Sequence, residues 1–327
     1  MAEGLDWRLI AILIAMIMDG LLGEPDFLWR HMPHPVVMFG KVIDAADRWF
    51  NRDAIADPVR RLLGIVFALV LAIATFMIGR TIELLLGPGP IGAILIGAVG
   101  SIFIAQNSLH AHVDAVADAL DRGGLKSGRK AVAMIVGRDP ETLDEPGVSR
   151  AAVESCAENF ADGVVAPIFW FALLGLGGLF AYKAINTADS MIGHQTPKHA
   201  AFGMGAARLD DLVNLIPARI AGLLVAFAAP RVGGSILTGL KTMVRDAGKH
   251  RSPNAGWPEA AMAGGLGVAL AGPRIYDGAL TDDPFLNAAG SKTADAKTIR
   301  RSLEIMVGAC WGVGILVALH LAAVLLV

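Results

Sequence analysis

Six apolar runs, separated by polar segments, dominate the hydrophobic pattern of the chain. They cover residues 5–22, 62–86, 91–105, 164–182, 212–229 and 305–327. A membrane-spanning helix needs roughly 20 mostly apolar residues, so the runs predict spanning helices. We predict four good spans and two compromised ones. Asp19 lies near the end of the first run, and Pro217 and Arg219 interrupt the fifth.

The predicted fold class is all-α: a polytopic helical integral membrane protein with four to six apolar spans and helical cytoplasmic segments. Residues 1–327 are expected to form a single membrane-embedded domain. Hydrophobic residues make up 54% of the chain, charged residues only 18%, and the mean hydropathy is +0.56. Soluble domains carry about 25% charged residues. A net charge of −2 and 6% aromatic residues argue against nucleic acid as a partner.

The polar segments predict the topology, and they cover residues 23–61, 106–163, 183–211 and 230–301. Three of them are rich in Lys and Arg, so by the positive-inside rule 23–61, 106–163 and 230–301 face the cytoplasm. Simple counting would place 183–211 outside, although it holds many functional groups. We therefore hypothesise that residues 164–229 fold back toward a cytoplasm-facing site in the cytoplasmic (inner) membrane.

An acidic stripe follows Arg150. Glu154, Glu158 and Asp162 are spaced four residues apart, so on a helix they share one face. Like charges at this spacing repel each other, and Mg²⁺ held by carboxylates and substrate phosphates would compensate them. A solvated helix face paired with Arg150 explains the same pattern equally well, and the residues alone leave both interpretations open.

A second set of functional groups surrounds the fifth apolar run. Asn186 and Asp189 follow the fourth run, and on a helix Arg208, Asp211 and Asn214 share a face. Ionisable residues in or beside membrane segments are costly and are usually functional, which favours function over interfacial snorkelling for Arg219.

Residues 250–259 predict a loop, because they contain two prolines and a glycine. The segment combines a cation, amide and carboxylate groups and an indole, a mixture that suits a large polar ligand. Residues 23–26 and 33–35 predict a further rigid polar loop. The chain has no P-loop, no GxGxxG, HExxH or GxSxG motif and no CxxC spacing for its two cysteines.

With these motifs the sequence resembles the CobD/CbiB family of cobalamin biosynthesis, the membrane-bound adenosylcobinamide-phosphate synthases. The resemblance runs from about Asp19 to about Tyr276 and is strongest between Glu154 and Gly264. One departure is Glu24, where the family often has Asp. The matching segments are Glu154-Ser-Cys-Ala-Glu158-Asn159-Phe-Ala-Asp162-Gly163, Asn186-Thr187-Ala-Asp189-Ser190, Ala207-Arg208-Leu-Asp210-Asp211, Asn214-Leu-Ile-Pro217-Ala-Arg219, Ser252-Pro253-Asn254-Ala-Gly256-Trp257-Pro258-Glu259 and Pro33-His34-Pro35.

The resemblance implies an amide-forming ligase. Adenosylcobyric acid would supply a carboxylate, and (R)-1-amino-2-propanol O-phosphate or the free amino alcohol would supply the amine. ATP would be the cosubstrate and Mg²⁺ the metal. The expected partners are these substrates and the lipid bilayer, while a soluble protein partner and a homo-oligomer both stay open.

The expected site residues are the polar members of the matching segments. The metal pool is Glu154, Glu158, Asp162, Asp210 and Asp211. Arg208 and Arg219 would clamp phosphates. Asp189 would take the proton from the attacking amine, with His34 as its rival. The expected substrate contacts are Asn159, Asn186, Arg251, Asn254, Trp257 and Glu259.

Other functions compete with this interpretation. A transporter would explain Arg219 beside Pro217 in an apolar run, although the sequence shows no internal repeat. A metal-dependent membrane phosphotransferase would use the paired Asp210 and Asp211, although no set of spaced aspartates surrounds an Asp-Gly motif. A purely structural membrane partner would not need so many Asn, Asp, Glu and Arg residues between Glu154 and Arg219.

Overall fold

The computed structural model describes residues 5–23, 29–31, 33–137, 139–194, 196–276, 279–281 and 283–326. Most of the predicted loop at residues 23–26 therefore lies outside the described residues. The helices are α1 (Leu5–Leu22), α2 (Pro35–Phe50), α3 (Asp57–Leu86), α4 (Pro90–Ser101), α5 (Gln106–Val132), α6 (Glu145–Phe160), α7 (Ala166–Ile192), α8 (Met204–Ala228), α9 (Ile236–Asp246), α10 (Gly256–Leu266) and α11 (Ala296–Leu325).

The described part of the chain confirms the fold class, an all-α polytopic membrane protein. Its strands are short: β1 (Leu270–Ala271), β2 (Arg274–Tyr276), β3 (Ala279–Thr281) and β4 (Phe285–Leu286). They form two antiparallel pairs, β1 with β4 and β2 with β3. Five helical segments are long and apolar enough to cross a membrane: Asp57–Leu86, Pro90–Val132, Glu145–Ile192, Met204–Val232 and Ala296–Leu325.

Two compact units divide the chain. Unit 1 comprises Met1–Ala105, Ala166–Asn214 and Val317–Val327, and unit 2 comprises Gln106–Val165 and Leu215–Leu316. In unit 1, α3 packs along α7, α1 along α4, and α2 against α7. In unit 2, α9 packs on α10 and α5 on α6. A single domain for the whole chain stays a prediction.

Helix α7 is interrupted in unit 1 at Gly175, whose φ of 68° suits glycine. A broken helix exposes backbone groups that must be satisfied within a membrane. Arg8 donates to the carbonyl of Leu173 (3.2 Å), and the Glu83 carboxylate accepts the N–H of Leu176 (3.1 Å). Arg8 and Glu83 also form an ion pair at 3.3 Å. The Arg8–Glu83 pair therefore satisfies backbone groups at the break, and its two partly buried charges compensate each other.

The expected interruption of the fifth run is wrong, because α8 is continuous through Pro217. A proline in a helix leaves the carbonyl four residues earlier without its N–H partner. Here that carbonyl belongs to Val213, and the indole N–H of Trp170 donates to it at 3.1 Å. The side chain of Trp170 on α7 therefore replaces the missing backbone bond, and the helix continues.

Residues 256–259 are also not a loop, since α10 begins at Gly256. Pro258 lies in the first turn, where a missing backbone N–H costs a helix nothing. The loop prediction holds for residues 250–255. The helical start fixes Trp257 and Glu259 on a rigid element.

Candidate functional site

A buried network of amides surrounds Asp210 in unit 1. Asn186 donates to Asp210 Oδ1 at 3.3 Å, and Asn214 donates to Asp210 Oδ2 at 3.0 Å. The hydroxyl of Tyr182 donates to Asn214 Oδ1 at 3.0 Å. Tyr182 and Asn214 are each 1% exposed and Asp210 is 8% exposed. Asn186 is four residues after Tyr182 on α7, and Asn214 is four after Asp210 on α8, so the helical repeat aligns the network.

Two more carboxylates lie beside this network. Asp189 and Asp211 are both close enough to interact electrostatically with Asp210. Asp189 also interacts with His194. The guanidinium of Arg208 is 4.0 Å from Asp211, but the Arg208 side chain is 80% exposed, so solvent weakens this pair. The carboxylates of Asp189, Asp210 and Asp211 therefore lie close to one another, an arrangement that suits a cationic ligand.

No group of three His, Cys, Asp or Glu residues in the described part of the chain is arranged to hold a metal ion by itself. Magnesium commonly uses one or two carboxylates and completes its shell with water and substrate phosphates. Asp210 and Asp211 fit this looser mode. Both Asp210 oxygens accept one amide N–H, which orients them and leaves further lone pairs for a cation.

A cationic cluster occupies the part of α8 that belongs to unit 2. The guanidinium carbon of Arg219 lies 4.5 Å from the centre of the Trp257 ring, a cation–π contact. Arg219 also donates to the Leu215 carbonyl and to Asn254 Oδ1, the latter at 3.4 Å. Gly222 allows this approach, since a Cβ there would stand only 3.0 Å from the Trp257 carbonyl oxygen. Three of the predicted site residues therefore lie together.

The acidic stripe is not one uniform solvated face. Glu154 is buried, and one of its oxygens accepts the N–H of Ala271 at 2.8 Å. Ala271 has a positive φ of 57°, so Glu154 stabilises an uncommon backbone conformation. Arg150 donates to the Lys292 carbonyl at 2.8 Å. The structure thus gives Glu154 a role in holding a turn.

The helical geometry changes at the C-terminal end of the acidic stripe, near Glu158 and Asp162. Residues Ala161–Val165 form a π-helical turn directly after α6, so Asp162 departs from regular four-residue spacing. Such turns are frequent at functional sites. Asn159 donates to the carbonyl and the hydroxyl of Ser155, at 2.9 and 3.1 Å. Glu158 is exposed and stays, with Asp162, a candidate.

The remaining candidates have local partners. His34 caps α2, where its Nδ1 accepts the N–H of Val36 at 3.2 Å. Arg251 pairs with Asp283 at 2.7 Å. Glu259 is buried, 3.6 Å from His250. These contacts fix the side chains without assigning them a role.

Tyr182 and Trp170 were missed by the sequence analysis. Tyr182 is one of only two tyrosines and lies four residues before Asn186. This spacing places both side chains on one helix face and could have indicated Tyr182 as a site residue. The partner of Trp170 is the carbonyl of Val213, and no sequence pattern connects the two residues because the contact depends on how α7 and α8 pack.

Comparison with known proteins identifies relatives along almost the whole chain. A family described as "CobD/Cbib protein" matches residues 12–306. A Sinorhizobium "Cobalamin biosynthesis protein CobD" is 49% identical over 305 residues, 92% of this chain and 94% of that protein. Proteins of the same name from Brucella anthropi (50% identical, 91% and 92% covered) and Rhodobacter capsulatus (49%, 84% and 86%) are also similar. No solved structure matches the chain.

Proposed function

Since the chain belongs to the CobD/CbiB family of cobalamin biosynthesis, we propose that it is an ATP-dependent amide ligase. Its substrates are adenosylcobyric acid and (R)-1-amino-2-propanol O-phosphate or the free amino alcohol. The observation that carries the proposal is the Asp210 network within membrane helices: a desolvated carboxylate accepts hydrogen bonds from Asn186 and Asn214, and Tyr182 in turn donates to Asn214. Buried polar networks of this kind are costly and mark functional sites.

The chemistry requires activation of the corrinoid carboxylate. A carboxylate oxygen attacks the γ-phosphorus of ATP, the bond to ADP breaks, and an acyl phosphate forms. The amine nitrogen then attacks the acyl carbon, inorganic phosphate leaves with the bonding electron pair, and the nitrogen loses a proton. Positioning and charge neutralisation dominate catalysis of phosphoryl transfer.

The anionic cluster in unit 1 suits the amine and the metal. Asp189 is the proposed acceptor of the amine proton, and Asp210 and Asp211 are the proposed ligands of Mg²⁺, which would neutralise phosphate charge. Glu158 and Asp162 remain further candidates for the metal, and His34 remains the rival base. Asn186 has a double role in the proposal: it orients Asp210, and it is a proposed contact of a corrinoid amide side chain.

The cationic cluster in unit 2 suits a phosphate. Arg219 presents a guanidinium whose plane is held by Trp257 and Asn254, and a guanidinium binds phosphate oxygens in a bidentate geometry. Arg251, also in unit 2, is a further proposed phosphate contact and pairs with Asp283 in the structure. Arg208 in unit 1 is proposed by itself as a phosphate contact of that unit. Asn159 and Glu259 are proposed contacts of the corrinoid amide side chains.

The test uses the full chain purified into lipid nanodiscs with adenosylcobyric acid, aminopropanol phosphate, ATP and Mg²⁺. Mass spectrometry should detect adenosylcobinamide phosphate, and ADP should form in equal amount. Omitting ATP should abolish the product. Phosphate transfer to a lipid alcohol would support a phosphotransferase instead, and corrinoid uptake into proteoliposomes without amide formation would support a transporter; either result without the amide overturns the proposal.

The ligase is expected in the cytoplasmic membrane with its site facing the cytoplasm, where ATP is available. The predicted positive-inside pattern supports this orientation. Cysteine substitution at exposed Glu141, followed by labelling with a membrane-impermeant maleimide, tests it. Labelling in intact cells would contradict the orientation, whereas labelling only after permeabilisation would support it.

A further inference from the structure

Helix α9 (Ile236–Asp246) lies outside the segments that can span a membrane, yet it presents large apolar side chains to its surroundings. Leu237 is 59% exposed and Val244 is 71% exposed. They are seven residues apart and therefore share one face of the helix. The opposite face, with Gly239, Thr242 and Met243, is buried. The helix therefore has one face that is buried against the protein and an exposed face that carries two large apolar side chains.

Cations surround this apolar exposure. Residues 231–251 contain Arg231, Lys241, Arg245, Lys249 and Arg251, and their sole carboxylate is Asp246. Asp246 is buried and binds Arg245 and Lys249 at 2.6 and 2.7 Å. Arg251 pairs with Asp283 outside this segment, so the proposal relies on Lys241. Lys241 lies between Leu237 and Val244 on the exposed face. Such a basic segment directly after a spanning helix matches the pattern that attracts anionic lipid headgroups.

The packing of α9 places it at a particular depth. Gly239 lies against Ala226, where a Cβ on the glycine would be 3.1 Å from the Ala226 Cβ, and Met243 lies against Gly222. Both contacts are on the spanning helix α8, which ends at Ala228. At 1.5 Å per residue, they lie about 3 to 9 Å before that end. A 25-residue helix exceeds a hydrocarbon core of about 30 Å, so this depth is the boundary between headgroups and acyl chains.

From these observations we propose that α9 is an interfacial helix that docks on anionic lipid. Leu237 and Val244 insert into the acyl boundary, and Lys241 reaches the phosphate groups of the headgroups with the flanking cations. The charge and the depth favour a lipid surface over an acidic protein partner, because both large apolar side chains lie at the level where lipid is already present. The inference does not depend on the proposed ligase activity.

The test measures the depth of Val244 directly. A spin label at Val244→Cys, in a Cys310→Ser background that leaves only the buried Cys156, is placed in nanodiscs of phosphatidylcholine mixed with phosphatidylglycerol. Collisions with oxygen should exceed collisions with a water-soluble nickel complex, as for acyl chains. A label at the exposed Glu141→Cys should show the reverse. A water-like result at Val244, whether it is open to solvent or covered by a copurified acidic protein, overturns the proposal.

A separate measurement tests whether Lys241 binds anionic lipid. Native mass spectrometry counts the phosphatidylglycerol molecules retained by the detergent-extracted protein. Lys241→Glu should reduce retention several-fold, while Lys126→Glu, an exposed lysine on α5, should leave it unchanged. Equal retention in both variants would refute anionic lipid docking. Leu237→Gln provides a second variant without charge reversal, and it should make the Val244 label more accessible to nickel.

Discussion

The two polar clusters of the molecule are built by opposite means. In unit 1, Asp210 is held by amide groups from Asn186 and Asn214, and negative charge accumulates around it. In unit 2, Arg219 is held by the face of Trp257 and by Asn254, and the charge is positive. The amide groups in unit 1 stabilise the Asp210 carboxylate without supplying a positive charge. The indole and the amide in unit 2 orient the Arg219 guanidinium without supplying a negative charge. In the proposed function, the first cluster binds a cation and the second binds a phosphate.

The two regions also differ in how their polar groups are satisfied within apolar helices. The unit 1 network follows regular helical spacing, so its polar groups satisfy each other. Near the unit 2 cluster, Pro217 removes a backbone donor, and Trp170 of unit 1 supplies it to Val213 within unit 1. In both regions an aromatic side chain, Tyr182 or Trp170, donates a hydrogen bond in an apolar environment.

The largest expected effect comes from Asp210→Asn. This change keeps the volume and removes the charge, so turnover should fall about 10³-fold while the protein still inserts. Initial rates of amide formation measure it. The matched control is Asp53→Asn at a fully exposed loop carboxylate, which should be neutral. If Asp210→Asn retained full turnover, the unit 1 cluster would have no catalytic role.

Arg219→Lys should have the next largest effect. Lysine keeps the charge but loses the planar fork and the stacking on Trp257, so the KM for the phosphate-bearing substrate should rise about tenfold to a hundredfold. Substrate titration at saturating corrinoid measures the change. Arg122→Lys, at an exposed arginine on α5, is the control. Equal KM values in both variants would remove Arg219 from phosphate binding.

Tyr182→Phe sharpens the comparison within unit 1. The loss of one hydroxyl frees Asn214 and lets Asp210 shift, so kcat should fall about tenfold with KM nearly unchanged. A purely structural role would instead lower the melting temperature and leave kcat of the folded fraction unchanged. Measuring kcat, KM and melting on the same preparation separates the two.

Asp246 gives the smallest effect and tests stability rather than activity. Hydrogen bonds from Arg245 and Lys249 lower the pKa of Asp246 below its usual value. A lowered folded-state pKa stabilises the protein above the unfolded value of about 4 and loses this contribution as the pH falls through the folded-state pKa. Asp246→Asn should cost about 1 kcal/mol at pH 7, since both cations are partly exposed, and less in acid.

Melting in nanodiscs at several pH values measures this effect. Asp44→Asn removes an exposed ion pair with Arg48 and should change the melting temperature much less. A penalty for Asp246→Asn that grew toward low pH would contradict the assigned direction of the pKa shift.

Much of the fold was predictable from the sequence, because long apolar runs specify spanning helices. The helix Asp57–Leu86 contains the run at 62–86, and the helix Ala296–Leu325 contains the run at 305–327 up to Leu325; both begin with polar extensions that hydropathy alone does not assign. The interruption at Pro217 was predicted wrongly, since the rescue by Trp170 is a tertiary contact. A break that was not predicted, at Gly175, lies inside an apolar run with three glycines and gave no polar signal.

The candidate site was predictable in its residue types but not in its grouping. Asp210 and Asn214 are four residues apart and so lie on one face of α8, but their hydrogen bond at 3.0 Å was not predicted and is a finding of the structure. The pool of five carboxylates as metal ligands stays a proposal, and Glu154 is engaged with the Ala271 backbone. The partner of a carboxylate depends on which loop folds over it, and helical spacing carries no information about that.

Oxygen labelling of the corrinoid substrate tests the central claim most directly. With ¹⁸O at both oxygens of the reacting carboxylate of adenosylcobyric acid, the purified chain should form the amide with one ¹⁸O retained in it and transfer the other ¹⁸O atom into inorganic phosphate. That result would establish both the ligase activity and the acyl phosphate. Amide formation with the label in AMP would contradict the phosphate route, and the absence of amide would contradict the proposed function itself.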